Sequence, residues 1–577
     1  VTRLVDWLRA RPRAWAPLAL AWALLLGLPT LPVGYVLDDH VHRYGFTGFP
    51  SPAQGLDLFS FTPKAAGGLA PFIRSGPFPW WTHPELRVRF FRPLSSALLH
   101  VDHALFPDRP LPAHAHSLLW NLAFVAVGLL LLRRLVPAGP VQALAMLLFA
   151  AAAPRWMAAT WLANRNALVA GTFALLGFWA HLRWRQDGWR AGAVLSALCF
   201  AAGLTGAEVA VAFLAYPVAH ELTARGASWR RRLVGLVPVL LSLAAYGVAY
   251  RLTLSGARHS GTYLDPLGAP LAYLAAAPAR VLALLGSLAA QLPVDLWLTA
   301  PGLRPVIVGV ALVVVGAVAR AVRPLDREDP GRLRFLVLAA ALSLLPAAAV
   351  FPMARQVLPA SLAGAALFAW LAQHAWRHRR VALLGLVLGV HLALPSATWL
   401  VMPTLAKAIG ERTDAAVAAM ELEADWSKLR VLALTTPDPS MFLYAPLQRA
   451  VELGSVPRAW WILTHGLVTL DLHRVDDATL EVAVVGGRLL DGEFEQVVRS
   501  PNEPFAAGDR VVLEGAAVEV LALDGGFPTR LRVTVEGGFD APDLRVLAYR
   551  DGTFRRVALP AVGGTLRLET SPGPMTP

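Results

Sequence analysis

Residues 117–134 read SLLWNLAFVAVGLLLLRR, an apolar run without a charge that stops at Arg133-Arg134. A run of that length, closed by arginines, suits a helix that crosses a bilayer and ends among the headgroups. The pattern recurs through residue 402. Its periods place helices near 14–37, 114–132, 140–153, 165–182, 191–205, 207–222, 233–250, 304–320, 335–350, 357–373 and 381–402. The expected fold class is therefore a polytopic α-helical membrane protein of about eleven spans.

Composition agrees. The chain has 577 residues, is 56% hydrophobic and 16% charged, and has a mean hydropathy of +0.51. A water-soluble domain is less apolar and closer to a quarter charged. The net charge of +13 does not mark a nucleic-acid binder, because the arginines sit in short loops between apolar runs rather than along one soluble surface. Lysine occurs only as Lys64, Lys407 and Lys428, and this Ala/Leu/Arg-rich bias points to a GC-rich bacterial genome. One cysteine, Cys199, excludes an internal disulfide and any cysteine-based metal site.

Arginine clusters set the expected orientation. Arg133–Arg134, Arg183/Arg185/Arg190, Arg225/Arg230/Arg231/Arg232, Arg320/Arg323/Arg327/Arg332/Arg334 and Arg377/Arg379/Arg380 fall at every second junction. They share a side with Arg3, Arg9, Arg11 and Arg13, so that side is read as the cytoplasm of a bacterial inner-membrane protein. The run 14–37 is too long for a signal-peptide core and is read as a retained first helix. The stretch 271–300 is expected to dip in or lie at the interface, since a full crossing there would place the Arg320–Arg334 cluster outside.

Three regions follow: a membrane domain over 1–402, with a large first extracytoplasmic loop at 38–113; a helical linker over 403–429; and a β-rich extracytoplasmic domain over 430–577. Period-two alternation in Leu480–Val485, Arg510–Leu513, Val518–Leu523, Arg530–Val535 and Leu544–Tyr549, separated by glycine turns, reads as a β-sandwich or barrel.

Chemistry concentrates near loop starts. Asp38-Asp39-His40 puts two adjacent carboxylates at the outer end of the first helix. Like charges that close raise one pKa, which suits a general base, although a solvated helix end gives the same pattern. Arg89-Phe90-Phe91-Arg92-Pro93 opens an amphipathic stretch with Leu94, Leu98, Val101 and Leu105 at helical spacing. Its arginines suit a lipid phosphate or plain interface anchoring. His100, His103, His83, His114 and His116 are read as solvated interfacial residues, with no metal indicated. Trp80, Trp81, Trp156 and Trp161 are read as belt residues. Arg258, in the loop 258–265, and Glu208, between apolar runs, are substrate-contact candidates.

The acidic pair, followed by FRPLSSALLHVDHALF at 91–106 and HSLLWNLAFVAVGLLLLRRL at 116–135, resembles the membrane region of GT-C glycosyltransferases. The likeness is to the protein O-mannosyltransferase group, including its tetratricopeptide-linked members. Ala153-Pro154 through Trp161-Leu162-Ala163-Asn164-Arg165-Asn166, then Leu204-Thr205-Gly206-Ala207-Glu208, then Arg355-Gln356-Val357-Leu358-Pro359 continue it in order. The chain departs from that group at Arg155–Thr160, which has no acid, and at Ala207, where a lysine is usual.

The resemblance implies transfer of a sugar from a polyprenyl-phosphate carrier to an acceptor hydroxyl on the extracytoplasmic face, with inversion. It assigns Asp38 as base and Asp39 as its helper. Arg92, Arg165 and Arg355 become candidates for the donor phosphate, while Glu208, His40, Arg89 and Arg258 remain further substrate contacts. No cofactor is expected. The expected partners are the carrier, membrane lipid and an acceptor whose class the sequence does not give. A lipid or solute transporter and a non-catalytic anchor for the β-rich region are the alternatives.

Overall fold

Apolar residues without a polar face become helices that bury one side against each other and leave the other in lipid. The computed structural model describes residues 14–266, 268–423 and 425–576. The N-terminal arginines lie outside the described residues. Among them, eight helices are long and apolar enough to cross a membrane: Pro110–Leu135, Pro140–Thr160, Trp229–Leu252, Pro270–Ala290, Pro301–Glu328, Pro330–Ala349, Ala354–Arg377 and Val381–Ala418. The protein is thus a multi-pass membrane protein with a C-terminal β-rich region.

The chain divides into two units, 1–34, 90–254 and 265–406 forming the first, and 35–89, 255–264 and 407–577 the second. In the helical unit Ala354–Arg377 is the central element, 94% of its apolar window buried, whereas Pro301–Glu328 and Val381–Ala418 bury 11%. Leu312, Val313, Leu240 and Leu241 point outward, fully reasonable only where the surrounding solvent is hydrocarbon.

Polar pairs gather the arginine-rich junctions at one end of this unit. Arg134 bonds Asp187 at 2.7 Å, and Arg185 holds Glu221 through two bonds of 2.7 and 2.9 Å while also donating to the Arg231 carbonyl. Arg225 lies 3.9 Å from Asp329, and Glu328 accepts from Trp370 and pairs with His374. These are the junctions the alternating arginine pattern had placed together.

Several boundaries differ from expectation. The first helix is Trp15–Gly27 with a 3-10 turn to Thr30, not a helix to residue 37, because Pro29 and Pro32 lack amide donors and Gly34 takes φ +85°. The 207–222 run breaks into Ala210–Phe213 and Ala215–Thr223. The stretch 271–300 contains one unbroken helix, Pro270–Ala290, long enough to cross. Three of its bonds reach residues 345–354: Tyr273 donates to the Leu345 carbonyl, Arg280 to that of Ala348, and Asp295 accepts from the Ala354 amide. Within the expected linker 403–429, residues 403–418 continue the last apolar helix, Leu394–Ala418.

The second unit combines three separate pieces of chain. Its antiparallel sheet has the order β12-β5-β6-β9-β8-β7, built from β5 (Thr469–Arg474), β6 (Thr479–Val484), β7 (Arg510–Leu513), β8 (Ala516–Asp524), β9 (Phe527–Val535) and β12 (Thr565–Glu569). A second sheet, β11-β10-β3-β4, contains β3 (Arg430–Ala433), β4 (Ala459–Ile462), β10 (Leu544–Arg550) and β11 (Thr553–Arg556), with β3 parallel to both β10 and β4. This corrects the expectation of a plain sandwich or barrel. Strands β3 and β4 are buried throughout and carry no alternation to read. Arg430 joins the two sheets. It forks onto Asp543 at 2.7 and 2.8 Å and donates to the carbonyls of Gly515 and Glu536.

The first loop divides at Arg89, and its 35–89 part belongs to this second unit. Trp80 donates to the Leu463 carbonyl at 3.0 Å, Trp81 stacks on Phe442 at 5.5 Å, and Trp461 donates to the Arg74 carbonyl at 2.8 Å. Gly76, at φ +100°, passes so close to β4 that a Cβ would stand 1.8 Å from the Trp460 oxygen. Trp80 and Trp81 are therefore core residues of a folded unit, 3% and 0% exposed, and not belt residues.

Candidate functional site

Leu37 takes φ +52° and turns the chain sharply into the short helix Asp39–Phe46. The turn separates the acidic pair. Asp39 is 3% exposed, and its Oδ2 accepts the Val36 amide at 3.0 Å while its own amide donates to the Val36 carbonyl. Asp38 is half-buried, and its Oδ1 accepts from the Tyr444 hydroxyl at 2.7 Å. Tyr444 ends the turn Ser440–Tyr444 that leads into the helix Ala445–Leu453. Burial first, and Asp38 next, hold its phenol well above the usual tyrosine range, so it stays a donor. His40 packs its ring 6.4 Å from that of Tyr444. Burial, reinforced by Arg43, lowers its pKa to about 3, so it is a neutral neighbour of the carboxylates at ordinary pH.

In the same unit β1 (Arg87–Arg89) pairs antiparallel with β2 (Gly256–Arg258), Arg87 facing Arg258 and Arg89 facing Gly256. Residues two apart share a face of a strand, so Arg87, Arg89 and Arg258 lie on one face of this ribbon. Arg89 is 4% exposed, and its Nε and Nη1 have no hydrogen-bond partner. Burial and Arg87 both oppose its charge, with Asp57 the opposing carboxylate. Like charges directly opposite across strands repel.

The remaining candidates belong to the helical unit. Arg92 donates through Nε to Glu208 at 2.7 Å and lies 4.6 Å over the Phe90 ring. Ser95 fastens the following helix, Pro93–Leu105, to the Gly206 carbonyl. Arg165 is 2% exposed and ion-paired with Asp102, and its Nη1 lies 2.9 Å from His116. His116 in turn meets Asp102 at 2.7 Å and accepts from Trp120. Arg355 lies over Trp161 at 5.2 Å and beside Asp295, whose carboxyl burial pushes upward against that guanidinium.

The structure thus joins Arg92 to Glu208, and Arg165 to Asp102 and His116. Asp38 joins Tyr444, which sequence reasoning missed. No local signal marks Tyr444, 406 positions from its partner. In the acid-free segment after Pro154, Arg155 is fully buried, bonded to Asn121 and the Phe149 carbonyl and set 5.4 Å from the Trp399 ring.

No family model and no curated protein matches the chain. Among solved structures it is similar to ArnT from Cupriavidus metallidurans bound to undecaprenyl phosphate, with 14% identity and TM-score 0.38 over 78% of this chain and 90% of that one. The apo form of that protein matches at 14% identity and TM-score 0.39, over 90% and 98%. The Archaeoglobus fulgidus oligosaccharyltransferase tethered with an acceptor peptide containing the NVT sequon matches at 13% identity and TM-score 0.40, over 79% and 64%.

Proposed function

We propose that this chain is a GT-C-type glycosyltransferase that moves a sugar from a polyprenyl-phosphate carrier to an acceptor hydroxyl, with inversion. An O-mannosyltransferase-like donor is the first choice. Asp38 takes the proton of the hydroxyl as its oxygen bonds to the anomeric carbon. The bond from that carbon to the phosphate oxygen breaks, and polyprenyl phosphate leaves as the anion. The basic junctions of the helical unit face the cytoplasm of a bacterial inner membrane in this reading.

The observation that carries the reading is the division of labour in the acidic pair. Asp39 is spent on the turn, and the half-buried Asp38, which accepts from the Tyr444 phenol, is the carboxylate suited to proton transfer. Asp39 acts as a positioning residue, and His40 packs beside the site without charge. The phosphate role passes to Arg89, with Arg87 and Arg258 on the same face of the ribbon, because a buried guanidinium with orphan donors is completed by an anion. Arg92 and Arg355 keep carboxylate neighbours, and Arg165 is engaged within the helical unit.

The test is a transfer assay with the full chain in nanodiscs. Undecaprenyl phosphate, the ligand of the ArnT structure, supplies the carrier to load first. Asp38→Asn should lower turnover roughly 10²–10⁴-fold, as loss of a general base does. Arg89→Ala should raise the KM for the carrier. Wild-type turnover by Asp38→Asn refutes the base, and no transfer by the unaltered protein from a panel of polyprenyl-phosphate sugars refutes the activity.

A further inference from the structure

The helix Arg304–Glu328 buries Ile307, Ala311, Val322 and Leu325 within the helical unit. At 3.6 residues per turn the opposite face carries Val306, Gly309, Val313 and Gly316, and Arg320, Arg323 and Arg327 continue the same stripe. Val306 and Val313 are 58% and 72% exposed. A Cβ added at Gly309 or Gly316 meets nothing within 4 Å, so the stripe holds a shallow furrow that no described residue fills. Residues 301–319 rise about 28 Å, roughly the hydrocarbon thickness, which sets Arg320–Arg327 among the headgroups.

All three arginines are exposed and make no hydrogen bond or ion pair with a described residue. Other guanidiniums at the arginine-rich end are taken up by carboxylates: Arg134 by Asp187, Arg185 by Glu221, and Arg332 by Asp329. The acids that follow the stripe are engaged elsewhere. Glu328 bonds Trp370 and His374, and Asp329 accepts the Arg332 amide. Like charges three and four residues apart on a helix repel, so Arg320, Arg323 and Arg327 destabilise one another until an anion joins them.

We propose that this face of Arg304–Glu328 binds one anionic phospholipid, with its phosphate among Arg320, Arg323 and Arg327 and an acyl chain along Gly309, Val313 and Gly316. A guanidinium forks onto phosphate oxygens, and three of them lie within a rise of about 10 Å. The stripe is apolar for about 15 Å and then cationic, which is the profile of a charged amphiphile and not of a soluble phosphate. Charge also argues against a second copy of the chain as the occupant. A two-fold contact through this face sets each arginine against its own counterpart.

The test strips the full chain of lipid in detergent and titrates it with dioleoyl phosphatidylglycerol or with dioleoyl phosphatidylcholine, which has the same chains. Native mass spectrometry counts the bound lipid. Phosphatidylglycerol should saturate a single site with a preference of at least about tenfold over phosphatidylcholine. R320A/R323A/R327A should lose that preference while keeping the wild-type melting temperature without lipid. R190A/R230A/R231A removes three exposed arginines from the same end and should keep the preference. Equal binding of the two lipids by the unaltered protein overturns the proposal, a readout independent of whether any variant folds and of sugar transfer. So does a preference that survives R320A/R323A/R327A, or an equal loss in both triple variants. A protein dimer that V313W dissociates overturns it as well, by placing a second copy on this face.

Discussion

Replacing Tyr444 with phenylalanine removes one oxygen and keeps the ring that packs against His40. What is lost is the 2.7 Å bond from the phenol to Asp38 Oδ1. Hydrogen bonds to charged groups contribute about 1.5–3 kcal/mol. Asp38 is only half-buried, so water replaces part of that bond and the lower end of the range applies. At 1.36 kcal/mol per pKa unit, about 1.5 kcal/mol moves an ionisation by roughly one unit. The sign follows from the donor. A bond to the carboxylate favours the charged form, so its loss raises the pH at which the base protonates. Tyr444, whose own pKa burial and Asp38 push up, does not titrate in that range. The assay is kcat/KM for sugar transfer between pH 4 and 9, in nanodiscs. Y444F should shift the acid limb upward by about one unit while approaching wild-type activity on the plateau. Asp38→Asn should remove the limb together with most of the activity. A Y444F profile that superimposes on the wild-type curve refutes the claim that this phenol sets the basicity of the site.

Other expected outcomes follow from single contacts. Burial raises the Glu495 carboxyl from 4.5 to about 7 while the amides of Leu490 and Gly492 donate to it. The folded state therefore binds the extra proton between those values. That stabilisation is complete below the unfolded pKa and is lost as pH rises through about 7. The second unit should melt higher at pH 5 than at pH 8, and E495Q should flatten the difference; an unaltered slope in the variant argues against Glu495 as its source. Arg430→Ala strips a buried guanidinium from Asp543 and from two carbonyls of the other sheet. A loss of about 3 kcal/mol, the lower end for a broken buried pair, lowers the melting temperature of a unit this size by roughly 6–12 °C. A change below 2 °C by calorimetry would show that the sheets are joined elsewhere. Glu208→Gln removes the charge that holds Arg92, so amide exchange in Pro93–Leu105 should quicken several-fold; unchanged protection would assign that helix's anchoring to Ser95 and Gly206 alone.

Much of the membrane architecture was legible in residue order, because a bilayer imposes a one-dimensional rule. Every crossing needs about 20 apolar residues, and arginines collect at alternate ends. That rule located the runs from Pro110 to Val401 and grouped junctions that the Arg134–Asp187 and Arg185–Glu221 pairs do bring together. Period-two alternation located the strands β6, β7, β8, β9 and β10. It had no purchase on β3 and β4, buried on both faces, nor on Trp80 and Trp81, whose partners Leu463 and Phe442 lie several hundred residues away.

The residues themselves therefore determined that this chain dissolves in lipid, where its helices run, and that Asp38-Asp39 and a set of arginines are its unusual charges. Tertiary structure alone decided how those charges are spent. It turned Asp39 inward, gave Asp38 a phenol, balanced Arg92 against Glu208, and stacked His83 on His259. Hydropathy accumulates along the chain and can be summed from it. Electrostatic roles depend on which groups stand within a few ångströms, and for Asp38 and Arg92 those neighbours come from distant positions, brought close only by folding.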